Sequence, residues 1–113
     1  MHEFSIALGI IEIAEENARK ADAKVIHEIE IEVGTLSGVM TDALKNALEV
    51  AVENTILKNT KRTFLELQAK GRCESCSCEF ELNGYMTPCP TCQGFNFDII
   101  QGQELRVKSL SVD

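Results

Sequence analysis

Four of the five cysteines in this 113-residue chain form two Cys-x-x-Cys pairs, and this pattern constrains the fold more than any other feature of the sequence. Cys73 and Cys76 make the first pair, Cys89 and Cys92 make the second, and twelve residues separate the two pairs. A turn after the first thiolate of each pair brings the second thiolate within reach of the same metal ion. Zinc accepts four thiolates in a tetrahedron and then has no open position for water or substrate, so the pattern predicts one structural Zn(Cys)4 site.

The residues around the pairs are typical of a unit that is stabilised by metal. Pro88 and Pro90 restrict the second turn, and Gly94 is expected to adopt a positive φ there. Because the segment has few apolar residues, we expect metal binding, worth roughly 10 to 16 kcal/mol in zinc-finger peptides, to drive its folding. Two alternatives remain open, a redox-active pair and adventitious buried thiols. Cys78 could also replace Cys76 as a ligand, although the regular spacing favours an idle or exchangeable thiol.

Hydrophobic periodicity predicts the remaining elements. Helical spacing and strand alternation give helices at 4–21 and 39–57 and strands at 25–33, 63–70 and 105–108, with a turn at 34–38 and a bulge between Val107 and Leu110. The cysteine pairs fall between the second and third strands. We therefore predict an α+β fold in which two helices pack on a three-stranded sheet and a small four-cysteine zinc-ribbon subdomain is inserted before the last strand.

The same periodicity predicts which side chains are buried. The expected buried residues are Phe4, Ala7, Leu8, Ile11, Ala14 and Ala18 in the first helix, His27, Ile29, Ile31 and Val33 in the first strand, and Leu65, Leu67 and Ala69 in the second strand. Glu28, Glu30 and Glu32 are expected on a solvated face. The elements indicate two units, an α/β domain of residues 1–70 and 103–113 and a zinc-binding subdomain of residues 71–102.

Composition excludes several functions. The net charge of −7 and pI near 4.8 oppose binding to nucleic acid, which depends on lysine and arginine neutralising phosphates. No apolar run reaches the length that spans a bilayer, and the first residues lack the basic region of a secretory signal, so we expect a cytoplasmic protein without membrane insertion. We find no nucleotide-binding loop, nucleophile motif or acid/base pair, and therefore expect no enzymatic turnover.

Four short motifs occur along the chain in a specific order. They are MHEFSI at 1–6, VGTLSGV at 33–39, the two Cys-x-x-Cys pairs, and QGQEL at 101–105. Together these motifs closely resemble the HypA/HybF family of hydrogenase maturation factors. The similarity covers essentially the whole chain, and the first and last motifs are far more specific than a zinc ribbon alone.

The resemblance implies a nickel metallochaperone that supplies Ni(II) for [NiFe]-hydrogenase. Members of the family work with a HypB-type GTPase and dock on the hydrogenase large subunit, and in some organisms relatives also serve urease. The family's nickel site maps onto the Met1 amine, the backbone nitrogens of His2 and Glu3, and the His2 imidazole. Such donors on consecutive residues form fused chelate rings with the nitrogen-rich, planar geometry that Ni(II) accepts.

Other candidate ligands have weaker support. Many relatives carry a carboxylate where this chain has Met40, and Asp42 is close by but out of register, so an oxygen ligand there is not expected. His27 is expected to be a packed or edge residue and not a ligand.

The main alternative function is a zinc-ribbon module that binds protein or RNA and has no nickel function. Few positive charges accompany the aromatic residues of the ribbon, Phe80, Tyr85, Phe95 and Phe97, which counts against the RNA version. A thiol oxidoreductase would need an accessible thiolate that zinc ligation would consume.

Overall fold

The computed structural model describes residues 2–113, which form two helices and six strands. In chain order the elements are α1 His2–Lys20, β1 Ile26–Gly34, α2 Thr41–Ala51, β2 Lys61–Leu67, β3 Lys70–Cys73, β4 Glu79–Glu81, β5 Phe97–Gln101 and β6 Leu105–Val112. The strands form two three-stranded sheets, a main sheet of order β2-β1-β6 and a second sheet of order β4-β3-β5. The predicted fold class is confirmed, while the domain boundaries inferred from the sequence stay a prediction.

The central strand of the main sheet is β1. It pairs with β2 in parallel and with β6 in antiparallel register. Because two parallel strands cannot be joined by a tight turn, the chain crosses from β1 to β2 through α2. The hydrophobic core lies between the helices and this sheet and consists of Ala7, Ile10, Ile11, Ala14, Ala18, Ile26, Ile29, Ile31, Val33, Leu44, Leu48, Val52 and Leu57.

The helices differ from the prediction in two respects. Leu8 is 45% exposed and Phe4 is partly exposed, whereas Ile10 is buried. Leu8 lies about 100° around the helix from Ala7, outside the stripe that faces the sheet. The second helix ends at Ala51, well before the predicted residue 57, and Asn54 then has a φ of 65°. Leu57 is still fully buried, because the turn that follows α2 folds back on the core and not because the helix continues to residue 57.

The inner face predicted for the second strand is wrong for Leu65 and Leu67, whereas Ala69, which follows the end of β2, is fully buried as predicted. Parallel pairing places Ile31 beside Phe64 and Glu32 beside Leu65. Since Ile31 faces the helices, Phe64 packs against the core, and Leu65 lies on the opposite, glutamate-bearing face together with Leu67. Both leucines are partly exposed. Alternation alone gave the wrong parity because the inner face is set by the register of β2 with β1, which the sequence of β2 does not contain.

Two register shifts in the β1–β6 pairing reorient side chains. The predicted bulge is present, since Glu30 pairs with Ser109 and Ile31 pairs with Val107, which leaves Lys108 as the extra residue. A second shift follows Ile26, and His27 is exposed as a result, with Nε2 2.6 Å from Asp113 Oδ1. The prediction that His27 lies on the buried face is therefore wrong.

One residue of the glutamate row departs from its expected solvent exposure. Glu28 and Glu30 are partly exposed, and they accept hydrogen bonds from Thr63 and Ser109. The Glu32 residue is only 7% exposed, and its carboxylate forms an ion pair with Arg106 of β6. Glu32 therefore lies in a nearly buried, paired environment and not on a solvated face.

The second sheet joins the main sheet through backbone contacts at the end of β1. Gly34 donates its N–H to the Glu104 carbonyl at 2.7 Å, and Leu36 donates to the Gly102 carbonyl at 2.7 Å. The Thr35 hydroxyl accepts from the Ala69 N–H at 2.9 Å. A Cβ on Gly34 would lie 2.1 Å from the Gly102 oxygen, so only glycine allows this approach. This contact region is called the junction below.

Residues 2–113 contain no helix that combines the length and apolar character needed to cross a membrane.

Candidate metal centre

The four paired cysteines converge at one end of the second sheet. Cys73 ends β3 and Cys76 lies in the turn that follows, while Cys89 and Cys92 lie in the loop between β4 and β5. Their Sγ atoms all lie within 4.8 Å of one another. Among residues 2–113 this is the one cluster of three or more cysteine, histidine or carboxylate ligands.

The spacing of the sulfur atoms fits a tetrahedral metal ion. The Sγ atoms of Cys73 and Cys92 are 3.4 Å apart, and those of Cys76 and Cys89 are 3.6 Å apart. Four thiolates at 2.3 Å from a zinc ion would be about 3.8 Å apart, close to these separations. The structure therefore has a four-cysteine metal-binding cluster whose donors leave no position for a substrate.

Both cysteine pairs adopt the same turn. Ser77 donates its N–H to the Cys73 carbonyl at 2.9 Å, and Gln93 donates to the Cys89 carbonyl at 2.7 Å. Ser77 and Gln93 have φ values of 64° and 63°. These left-handed residues each follow the first cysteine of a pair by four positions, and glycine occupies neither position.

The expectation that Gly94 supplies the positive φ is therefore wrong, because its neighbour Gln93 does so. Sequence inspection missed Ser77 and Gln93 because neither residue type suggests a left-handed conformation. Their position was the one available signal, since each lies four residues after the first cysteine of its Cys-x-x-Cys pair. Strain at both positions is the cost of directing two thiolates at one point.

Main-chain N–H groups aimed at the sulfur atoms favour thiolates at two of the cysteines. The N–H of Cys92 and then that of Thr91 lower the pKa of Cys89 to about 6, against the opposing effect of burial. The N–H groups of Cys76 and Ser75 similarly lower the pKa of Cys73. The peptide groups of the turns thus stabilise negative charge where a cation would bind.

The other two thiols of the cluster have raised pKa values. The N–H of Cys78 favours the Cys76 thiolate, but burial and the neighbouring thiols outweigh it and raise the pKa to about 12. The Gly94 N–H is likewise outweighed at Cys92, whose pKa is raised. Four thiolates in contact repel one another, so complete ionisation of the cluster requires a cation at its centre.

The fifth cysteine lies beside the cluster and not in it. Cys78 is partly exposed, and its sulfur accepts a hydrogen bond from the Thr91 hydroxyl at 3.3 Å. The geometry brings Cys76, and not Cys78, into the group of four. Thr91 lies between the two cysteines of the second pair, so Cys78 contacts that turn from outside.

Two of the three predicted nickel-binding residues, His2 and Glu3, lie at the start of α1. Met1 lies outside the described residues. His2 is the first residue of α1 and its side chain is 65% exposed, with Nδ1 3.9 Å from a Glu3 carboxylate oxygen. The first N–H groups of a helix have no intrahelical acceptor, so those of His2 and Glu3 are not committed to the helix.

No further ligand from α2 joins them. Met40 is the N-cap of α2 and is 72% exposed, and Asp42 lies in the first turn of that helix. Within residues 2–113 neither His2 nor Asp42 belongs to a cluster of three candidate ligands.

Comparison with known proteins identifies the family. The family model described as "Hydrogenase/urease nickel incorporation, metallochaperone, hypA" matches residues 1–112. The chain belongs to the HypA family. It is 40% identical over 113 residues to the hydrogenase maturation factor HypA of Geotalea uraniireducens, with 100% of both chains covered. It is 38% identical over 112 residues to the HypA of Parabacteroides distasonis, covering 99% of this chain and 97% of that one.

Solved structures of the family share the fold. A solution structure of the Ni metallochaperone HypA from Helicobacter pylori matches with a TM-score of 0.68 and 27% identity, covering 97% of this chain and 96% of that one. A solution structure of a HypA protein matches with a TM-score of 0.73 and 28% identity over 99% and 96% of the two chains. The resemblance inferred from the motifs is confirmed.

Membership of the HypA family has two consequences. The chain is a nickel-incorporation metallochaperone, a maturation factor and not an enzyme, as predicted from the sequence. The VGTLSGV and QGQEL motifs also acquire a physical explanation, since Gly34 and Leu36 of the first contact Gly102 and Glu104 of the second at the junction. These motifs hold the second sheet against the first, and within residues 2–113 neither belongs to a cluster of three or more candidate metal ligands.

Proposed function

We propose that this protein binds one Ni(II) ion at its amino terminus and delivers it during maturation of [NiFe]-hydrogenase, while zinc bound by Cys73, Cys76, Cys89 and Cys92 shapes the second sheet. The observation that carries the proposal is the position of His2 at the first turn of α1. There the backbone nitrogens of His2 and Glu3 can bind metal without breaking an intrahelical hydrogen bond. The Met1 amine and the His2 imidazole would complete a planar four-nitrogen site.

Electrostatics are compatible with this site. The amino end of a helix carries a partial positive charge and disfavours a free cation. Two deprotonated backbone nitrogens would cancel the double charge of Ni(II), so the bound group would be neutral overall. The exposed His2 side chain leaves the ion accessible to an acceptor. Because all these donors must lose protons, acidification releases the ion, and release does not require the core to unfold.

Zinc is proposed for the cysteine cluster because a closed tetrahedral set of four thiolates suits that ion and leaves no open coordination position. The proposed partners are a HypB-type GTPase, the [NiFe]-hydrogenase large subunit and, for relatives that also serve urease, its maturation proteins. We place the protein in the cytoplasm, where reducing conditions keep the five thiols from forming disulfides.

Nickel titration of the zinc-loaded protein tests the proposal. We expect one equivalent of Ni(II) to bind to the chain with its native amino terminus, with the diamagnetic spectrum of a planar site. His2→Ala and an extension of two residues before Met1 should each abolish nickel binding and leave one zinc ion per chain. His27→Ala is the matched control, since His27 is the other histidine of the chain and is also exposed.

Nickel uptake by the extended chain with unchanged stoichiometry and affinity would contradict the proposed site. A zinc-ribbon module without nickel function would show no specific nickel binding in any of the four proteins. The two outcomes differ in whether nickel binds specifically at all. Zinc content, measured in the same samples, shows that the cysteine cluster is intact in each protein.

A further inference from the structure

One edge of the main sheet is open and unusually regular. The strand order makes β2 and β6 the two edges. The β1–β6 pairing has two register shifts, and such irregularities discourage pairing with another chain. By contrast β2 pairs with β1 in unbroken register from Lys61 to Leu67, and the part of the chain that the structure describes places no strand on its other side. The backbone of β2 can therefore accept an additional strand.

A groove runs between this edge and α2. Its volume is about 580 Å³, and it is lined by Lys45, Asn46, Glu49, Thr60, Arg62, Thr63 and Phe64. The aromatic ring of Phe64 is partly buried and forms an apolar wall. The groove thus has room for side chains of a segment that lies along β2.

Two cations in this groove form no ion pair with any carboxylate of residues 2–113. Lys45 Nζ lies 5.6 Å from the centroid of the Phe64 ring, and no carboxylate within residues 2–113 lies within 4.0 Å of it. Arg62 Nη1 donates to the Leu57 carbonyl at 3.0 Å and to the Thr60 carbonyl at 3.2 Å. These two contacts fix the guanidinium while leaving its charge unneutralised.

The absence of partners is informative because the chain is strongly acidic, with 18 carboxylates against 11 lysines and arginines. Glu49 also lines the groove, one helical turn from Lys45, yet the two do not form an ion pair. Lysine on an edge strand often serves only to prevent aggregation. Lys45 is on a helix, however, and the Arg62 side chain is hydrogen-bonded to carbonyls of the connection between α2 and β2. Neither charge therefore serves to prevent aggregation at the edge strand.

We propose that an extended acidic segment of a partner protein binds in this groove, pairing with β2 as an added strand and placing carboxylates beside Lys45 and Arg62. Main-chain hydrogen bonds along β2 would supply binding, and charge complementarity would select acidic sequences. The proposal concerns a protein-binding surface and does not depend on where nickel binds.

The test uses the full zinc-loaded chain and a capped heptapeptide in which glutamate and valine alternate. Binding is measured by titration, and the site is located by amide chemical-shift changes. We expect shifts along β2 but not β6, and an affinity that falls as salt is added. Peptides with lysine in place of glutamate, or with proline at alternate positions, should not bind, because they lack the charge or the backbone donors.

Charge reversal distinguishes the groove from general attraction. Lys45→Glu should weaken binding of the acidic peptide by about tenfold or more, and Lys45→Gln should weaken it less. Lys108→Glu, the same change at an exposed residue of the other edge strand, should alter the affinity by less than about twofold. Circular dichroism and zinc content establish that each variant is folded.

Three results would overturn the proposal. They are no binding of the acidic peptide at millimolar concentration, equal weakening by Lys45→Glu and Lys108→Glu, and shifts confined to another surface. Inorganic phosphate is titrated as the last alternative ligand of the groove. If phosphate produces the β2 shifts and the peptide does not, the groove binds small anions and not a protein strand.

Discussion

Replacing Gly102 by alanine is expected to destabilise the junction between the two sheets. Gly102 has a φ of 119°, and an added Cβ would lie 2.5 Å from both the Cα and the Cβ of Ala69. The unfavourable backbone conformation costs about 1–2 kcal/mol for a residue with a side chain. Relief of the overlap by movement of the backbone costs about 1–3 kcal/mol more. The sum of about 2–5 kcal/mol is a large fraction of the 5–15 kcal/mol that stabilises a typical domain.

Two other glycines provide matched controls for this substitution. Gly38 also has a positive φ, 83°, but a Cβ there would meet nothing within 4 Å, so Gly38→Ala should cost about 1–2 kcal/mol from the backbone alone. Gly9 lies inside α1 with nothing within 4 Å, and Gly9→Ala should stabilise the chain by about 0.5–1 kcal/mol. The difference between the Gly102 and Gly38 variants therefore isolates the steric contribution.

Urea unfolding of the zinc-loaded proteins, followed by circular dichroism, measures this difference. Zinc content is recorded because metal loss would make the transition more than two-state. In the Gly102 variant the amide signal of Leu36, which donates to the Gly102 carbonyl at 2.7 Å, should also shift or broaden. Equal unfolding midpoints for Gly102→Ala and Gly38→Ala would refute the close contact with Ala69.

Three further predictions concern the cysteine-rich segment and the ion pairs. Cys76→Ser should release zinc and unfold the second sheet, whereas Cys78→Ser should retain one zinc ion per chain, as metal analysis will show. Arg106→Ala removes the partner of a nearly buried carboxylate and should lower the unfolding temperature more than Arg72→Ala, which breaks an exposed pair; equal changes would contradict this. Gln93→Gly relieves a left-handed φ and should stabilise the zinc-loaded chain by about 1 kcal/mol in urea titrations.

The parts of the fold that depend on local pattern could be predicted from the sequence. Helical and alternating periodicity located both helices and the strands of the main sheet, and the spacing of the cysteines indicated which thiols would converge. The bulge at Lys108 could also be predicted, because the alternation of apolar residues changes parity between Val107 and Leu110. These features need only information within one element or one pair of turns.

The features that could not be predicted depend on contacts between distant segments. The inner face of β2 is fixed by its register with β1, which sets Phe64 beside Ile31. A single-residue change of register would exchange the two faces, and alternation cannot detect it. Glu32 is nearly buried and pairs with Arg106, which lies far along the chain. Nothing in the alternating glutamates distinguishes Glu32 from its exposed neighbours.

The junction explains why the VGTLSGV and QGQEL motifs helped to identify the family, although local sequence patterns predicted no specific role for their glycines. A glycine in a sequence shows only that unusual backbone conformations are allowed, and Gly34 and Gly102 could each have been an ordinary turn residue. Glycine is required at both positions because the Cα of Gly34 lies against the Gly102 carbonyl and Gly102 lies against Ala69. Three separate segments thus constrain one another at a point that includes none of the four clustered cysteines. If this contact sets the position of the metal-binding cluster, weakening it should disturb the arrangement of the sheets before zinc is lost.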